Sequence, residues 1–195
     1  MCSQEHQLDS GQHQVKSILY QTCRQHWQRS RLVFGTITVP FCSMHKPGGT
    51  FMVAAGNVTG RIKNPLSDSL GRWVSQTFQG ASGRRITIVS AYRVVSDVVV
   101  PGTTTAAAQQ QSLLIRRNDP IQAPRKEFRR DLALYLQECK SAGDEIMLLG
   151  DFDLDVNLLF GTHIQQLSKL KPRTLYSTNV RQGSEYIRRK NTAWN

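Results

Sequence analysis

The stretch Glu145-Ile146-Met147-Leu148-Leu149-Gly150-Asp151-Phe152-Asp153-Leu154-Asp155 reads as a buried strand with an acidic tip. Four consecutive apolar residues bounded by Gly150 fit a short buried strand. In extended chain, side chains two residues apart share a face, so Asp151, Asp153 and Asp155 would crowd onto one side. Carboxylates held that close repel one another unless a divalent cation or shared protons relieve them. A buried strand that delivers carboxylates at its C-terminal end is a common way to build a metal-dependent phosphate site. The competing reading is an ordinary turn after a strand, since Gly and Asp are frequent turn residues.

The residues before this strand spell the clearest helix of the chain. Phe128, Leu132, Tyr135, Leu136 and Cys139 recur at helical spacing, Pro124 suits the start and Gly143 the end. Arg125, Lys126, Arg129 and Arg130 fall in its first two turns, where the helix dipole favours acids. Phosphate contact is one reason for such a patch and simple solvation is the other. A second helix is expected from Val15, with Val15, Ile18, Leu19, Thr22, Cys23 and Trp27 on one face, ending near Arg29-Ser30. Leu32 to Val39 and Phe51 to Ala55 read as strands, the second opened by the turn Lys46-Pro47-Gly48-Gly49-Thr50. Asn64-Pro65 reads as the start of a loop. Gly71 to Phe78 and Ile86 to Tyr92 read as strands around the turn at Gly80 to Arg85. Gly-rich turns joining the last three of these strands, from Phe51 to Tyr92, predict consecutive antiparallel neighbours. Pro101 to Gln111 is either a helix start or a flexible connection. Leu158 to Leu170 has the pattern of a further amphipathic helix. The order of elements predicts an α/β sandwich rather than a doubly wound sheet.

The length, 195 residues, suits one domain, and the charge narrows its partners. Lys plus Arg number 25 against 14 Asp plus Glu, a net charge of +11 that attracts polyanions. Nucleic acid is the usual target of such a surface. Arg84 and Arg85, at a strand edge, join the helix patch as candidate nucleic-acid contacts, with a solvated edge as the alternative. Cys2, Cys23, Cys42 and Cys139 form no C-x-x-C pair, which argues against a zinc ribbon or redox motif. Their scatter suggests reduced thiols in an intracellular protein, with the nucleus left open. No run of about 18 apolar residues suggests a transmembrane helix, and no obligate protein partner is indicated.

Taken in order, Gln4-Glu5, Lys46-Pro47-Gly48-Gly49-Thr50, Ser90-Ala91-Tyr92 and Gly150-Asp151-Phe152-Asp153 resemble the endonuclease/exonuclease/phosphatase family. That family includes abasic-site, DNase I-like and retroelement endonucleases. The resemblance covers roughly residues 3–155. Cys23 to Trp27, the Pro-Gly-Gly-Thr turn and the Gln109-Gln110-Gln111 run resemble its retroelement-like branch. The resemblance implies a DNase I-like α/β sandwich with mixed, largely antiparallel sheets in a single domain spanning 1–195.

It also implies a site. Glu5 matches the glutamate that holds Mg²⁺ or Mn²⁺. Tyr92 matches the tyrosine whose hydroxyl points at the phosphate. Asp151 matches the aspartate that orients or deprotonates the attacking water and helps bind metal. Asp153 stands where the family has asparagine, a negative acceptor in place of a neutral donor. An opening strand ahead of Glu5 and a late Ser-Asp-His element are also lacking, so the resemblance implies an incomplete copy, either partly truncated or decayed. The implied activity is metal-dependent phosphodiester hydrolysis of nucleic acid, DNA ahead of RNA. A catalytically inactive nucleic-acid-binding remnant and a phosphatase-like enzyme for a small phosphorylated substrate are the alternatives.

Overall fold

The computed structural model describes residues 1–9, 12–35, 37, 47–95, 105–120, 122–151 and 175–178, with Asp151 and residues 175–178 described by backbone alone. In chain order the elements are β1 (Cys2–Gln4), α1 (His13–His26), β2 (Ser30–Gly35), β3 (Thr50–Ala55), β4 (Ile62–Ser67), β5 (Trp73–Gln79), β6 (Arg85–Tyr92), α2 (Ala106–Arg116), α3 (Pro124–Ser141), β7 (Glu145–Asp151) and β8 (Leu175–Thr178). They make an α/β sandwich of two sheets. The smaller is antiparallel with strand order β1-β3-β2. The larger, β4-β5-β6-β7-β8, is antiparallel from β4 to β6 and parallel from β6 to β8.

Alternation along the central strands decides what lies on each side. Trp73 on β5, Val89 and Ala91 on β6, and Leu148 on β7 face Phe128, Leu132 and Leu136 of α3, forming the main core. The intervening positions meet the smaller sheet: Gln76 donates to the Arg31 carbonyl at 3.4 Å, and Gln4 Nε2 donates to Ser90 Oγ at 2.9 Å. Helix α1 covers the outer face of the smaller sheet through Cys23, Leu32 and Val53. Helix α3 forms where periodicity predicts it, with Pro124 in the first turn and Gly143 past its end at φ +81°. Cys23 and Cys139 are buried, as their places on the helix faces predict.

Several expectations change. The strands Thr50–Ala55, Trp73–Gln79 and Arg85–Tyr92 are not three consecutive neighbours, because β3 lies in the smaller sheet between β1 and β2. The neighbour of β5 on its outer side is β4, which runs through the Asn64-Pro65 segment read above as a loop. Its register shifts between Lys63 and Leu66, and Asn64 takes φ +45°. Proline cannot donate to a ladder, but an irregular edge strand tolerates it. The polar N-terminus supplies a strand too: Gln4 pairs with Thr50, so β1 runs directly into Glu5.

Helix α1 ends at His26, and its buried stripe is narrower than predicted, with Val15 and Cys23 buried while Ile18 and Trp27 are exposed. Residues 106–116 are helical, and Thr105 caps α2 by accepting from the Ala108 N–H at 3.3 Å. The predicted helix at 158–170, Cys42, and the strand prediction beyond Ile37 lie outside the described residues. Among those described, no helix is long and apolar enough to cross a membrane.

Candidate functional site

The strand β6 ends at Tyr92 and the strand β7 at Asp151, and the parallel ladder sets these two residues opposite one another. Tyr92 is buried, its ring packed with Val94 and with Ala106 at the start of α2. The Tyr92 hydroxyl donates to Glu5 Oε1. Glu5 arrives from the other sheet, since β1 lies against both β6 and β7. The amino-terminal glutamate and the backbone of the acidic strand tip therefore share one end of the sandwich. In this arrangement the Tyr92 hydroxyl proton is engaged by Glu5, so its direct structural effect is to orient that carboxylate.

A hard divalent cation takes oxygen ligands. Glu5 fits: it is exposed, and its Oε2 makes no hydrogen bond among the described residues. Only the backbone of Asp151 is described, and Asp153 and Asp155 lie outside the described residues. Among described residues, no three His, Cys, Asp or Glu side chains converge as a metal site.

Comparison with known proteins adds a structural likeness. Among solved structures, this chain is similar to the human Nocturnin catalytic domain with bound sulfate anion, at a TM-score of 0.40 and 15% identity. The match covers 84% of this chain and 54% of that one, so the chain spans about half the length of that domain. No family model and no curated protein match the sequence.

The six candidate nucleic-acid contacts divide. Arg84 and Arg85 sit at the start of β6, roughly 23 Å from Tyr92 at ~3.3 Å per residue, so they are at the opposite end of the sheet. Arg84 pairs with Glu145, and Arg85 with Asp144 and the Ala142 carbonyl. Arg125 donates to the Val95 carbonyl, and Arg130 is held by Glu127, Asp131 and Asp119. Lys126 is exposed and Arg129 half-buried, and neither has an ion-pair partner among the described residues. The helix patch is therefore partly internal, which resolves the apparent conflict with the dipole: local carboxylates balance Arg130.

Three polar residues at this end carry no sequence signal strong enough to single them out. Arg72 is 2% exposed, stacks its guanidinium 4.6 Å from the Trp73 ring centroid, and binds Asp68 and Asp131. Its carbonyl accepts from the Tyr92 N–H at 2.8 Å. Burial pulls the Arg72 pKa down, but Asp68 and then Asp131 outweigh it, and the guanidinium holds its proton more firmly than a free arginine. Glu127 is 1% exposed; burial first, and the charge of Asp131 second, push its pKa up to about 7 against the attraction of Arg130. The Asp68-to-Gly71 turn hints at local order around Arg72, since Asp68 accepts from the Leu70 and Arg72 N–H groups. Nothing in the spacing hints at a buried Glu127.

The third is His6. Burial lowers its pKa, against smaller opposing effects of the Thr50 and Gly35 backbone, so the ring is neutral. Its Nδ1 accepts from the Leu8 N–H at 3.0 Å, which assigns the ring proton to Nε2. Nε2 is buried and makes no hydrogen bond of good geometry.

Proposed function

We propose that this chain is a metal-dependent phosphodiester hydrolase of endonuclease type that acts on nucleic acid, DNA ahead of RNA. One observation carries the reading: the Tyr92 hydroxyl holds Glu5 at the tip of the parallel β6–β7 pair, where Asp151 is the register partner of Tyr92. Phosphodiester cleavage needs an in-line nucleophile and relief of charge on the non-bridging oxygens. Glu5 and Asp151 would hold Mg²⁺ or Mn²⁺, which would supply that relief. Asp151 orients or deprotonates the attacking water, and Asp153, two residues on in the sequence, is a second candidate carboxylate. Tyr92 orients Glu5 and is the hydroxyl available to the phosphate when that bond is released. Lys126 and Arg129, with a net charge of +11, help retain a polyanion against counterion competition.

A small phosphorylated substrate is the second reading, favoured by the four candidate arginines engaged within the protein. Plasmid nicking in Mg²⁺ and hydrolysis of mononucleotides, run side by side, separate the two. Nicking is expected to vanish with chelator and in Asp151→Ala. Cleavage that survives both changes refutes the site. Salt-sensitive plasmid binding without cleavage of any substrate marks a catalytically inactive remnant.

A further inference from the structure

We propose that His6 is the positioning residue for Glu5, a wedge beneath the Gly48–Gly49 turn that fixes the carboxylate against Tyr92. The proposal rests on the reading that Glu5 serves the reaction, and it adds a residue whose side chain acts through its neighbour. Glu5 and Gln7 flank His6 at φ +50° and +56°. Non-glycine residues populate that region sparsely, so an arc with two of them needs outside support.

The support converges on His6. A Cβ on Gly49 would lie 2.6 Å from both Cε1 and Nε2 of the ring, so the turn closes on the imidazole with no space to spare. Gly48 and Gly49 take φ +78° and +87°, a bend that glycine makes freely. The Gln7 N–H donates to the Gly48 carbonyl at 3.0 Å, and the Leu8 N–H donates to His6 Nδ1 at 3.0 Å. On the other side of Glu5, Gln4 is fixed by its ladder partner Thr50 and by its bond to Ser90. The ring also packs against Phe51, with centroids 5.7 Å apart. Glu5 is thus held from both directions, and the half-buried imidazole is the anchor on its C-terminal side. The Gly48–Gly49 bend, part of a stretch read from sequence as a turn, acquires a second purpose: it leaves room for this ring.

A double-mutant cycle tests the idea without any metal. Urea unfolding of Glu5→Ala, Tyr92→Phe and the double variant reads the Glu5–Tyr92 coupling. A hydrogen bond to a charged group predicts a coupling of at least about ten-fold in the unfolding constant. In a His6→Ala background the coupling is expected to fall within roughly two-fold of unity. His6→Asn, whose Oδ1 accepts from Leu8 as in an Asx turn, should keep most of it. Should His6→Ala not fold, His6→Leu fills the space without accepting from Leu8 and should weaken the coupling. Coupling that persists undiminished in the folded Ala or Leu variant overturns the proposal. Mn²⁺ binding measured on the same proteins separates the two ideas. Binding about ten-fold weaker in His6→Ala supports both. Lost coupling in a protein whose unmodified form takes up no Mn²⁺ leaves His6 as the support of Glu5 and removes the hydrolase reading.

Discussion

Replacing Arg72 by methionine removes the charge at the centre of the most buried ion cluster described. Arg72 is 2% exposed, and its Nε and Nη2 reach Asp68 at 2.7 and 3.1 Å and Asp131 at 2.7 Å. Methionine retains much of the aliphatic stem but strands two carboxylates. Asp68 is 8% exposed, while Asp131, at 27%, can draw in water. Breaking a buried pair costs about 3–5 kcal/mol when a charge is left uncompensated. The stack on Trp73 adds about 1–2 kcal/mol. Against this, removing an arginine saves its own desolvation, and Asp68 keeps its bonds to the Leu70 and Arg72 backbone N–H groups. A net loss of about 3 kcal/mol follows from the lower part of the range. For a chain of this size that lowers the melting temperature by roughly 6–12 °C. Urea denaturation at pH 7, with the midpoint and slope fitted together, measures it. The control is Asp131→Asn, which loses one partly exposed contact and is expected to cost about 1 kcal/mol. A loss below about 1 kcal/mol for Arg72→Met would show that desolvation cancels the pairing, and the argument for this cluster as a structural pin would fail.

Glu127 makes stability depend on pH. Its folded pKa, raised to about 7, exceeds the unfolded value of 4.5, so the folded state binds the proton more tightly. That contribution is fully present below pH ~4.5 and is lost as pH rises through ~7. Its size is on the order of 2–3 kcal/mol. Glu127→Gln is therefore expected to flatten the fall in stability between pH 5 and 7.5 in urea titrations, and an unchanged slope refutes the assignment. Leu132, wholly buried between α3 and the sheet, is expected to cost about 3 kcal/mol as alanine, whereas exposed Leu134 in the same helix should cost under about 1. Calorimetry of the two variants checks the face assigned to α3.

Local pattern made α3 legible because one apolar stripe on one long helix has few ways to be buried. Helix α1 was legible in place but not in detail: Leu19 and Cys23 pack on the smaller sheet and Val15 is buried, while Trp27 at the end was left outside. The strands β5 and β6 and the turn between them were legible for the same short-range reason. Assigning β3 beside β5 failed because a turn signal says that the chain reverses, not which sheet receives it. Of the candidate site, Glu5, Tyr92 and Asp151 were named from motif order, while Asp153 stays outside the described residues.

Residue order alone was enough to place α1, α3 and the strands β3, β5 and β6, the apolar strand ahead of Asp151, and a surplus of positive charge, since each depends on near neighbours or on simple counts. Tertiary structure decided which residues separated by tens of positions meet. It joined Glu5 to Tyr92 across two sheets, set Arg85 beside Asp144, and brought Asp131 to the local Arg72–Asp68 pair. Those pairings arise from the stacking of one sheet on the other, from the β6–β7 ladder and from the packing of α3, which bring together groups whose chemistry gives no hint of the partner in sequence.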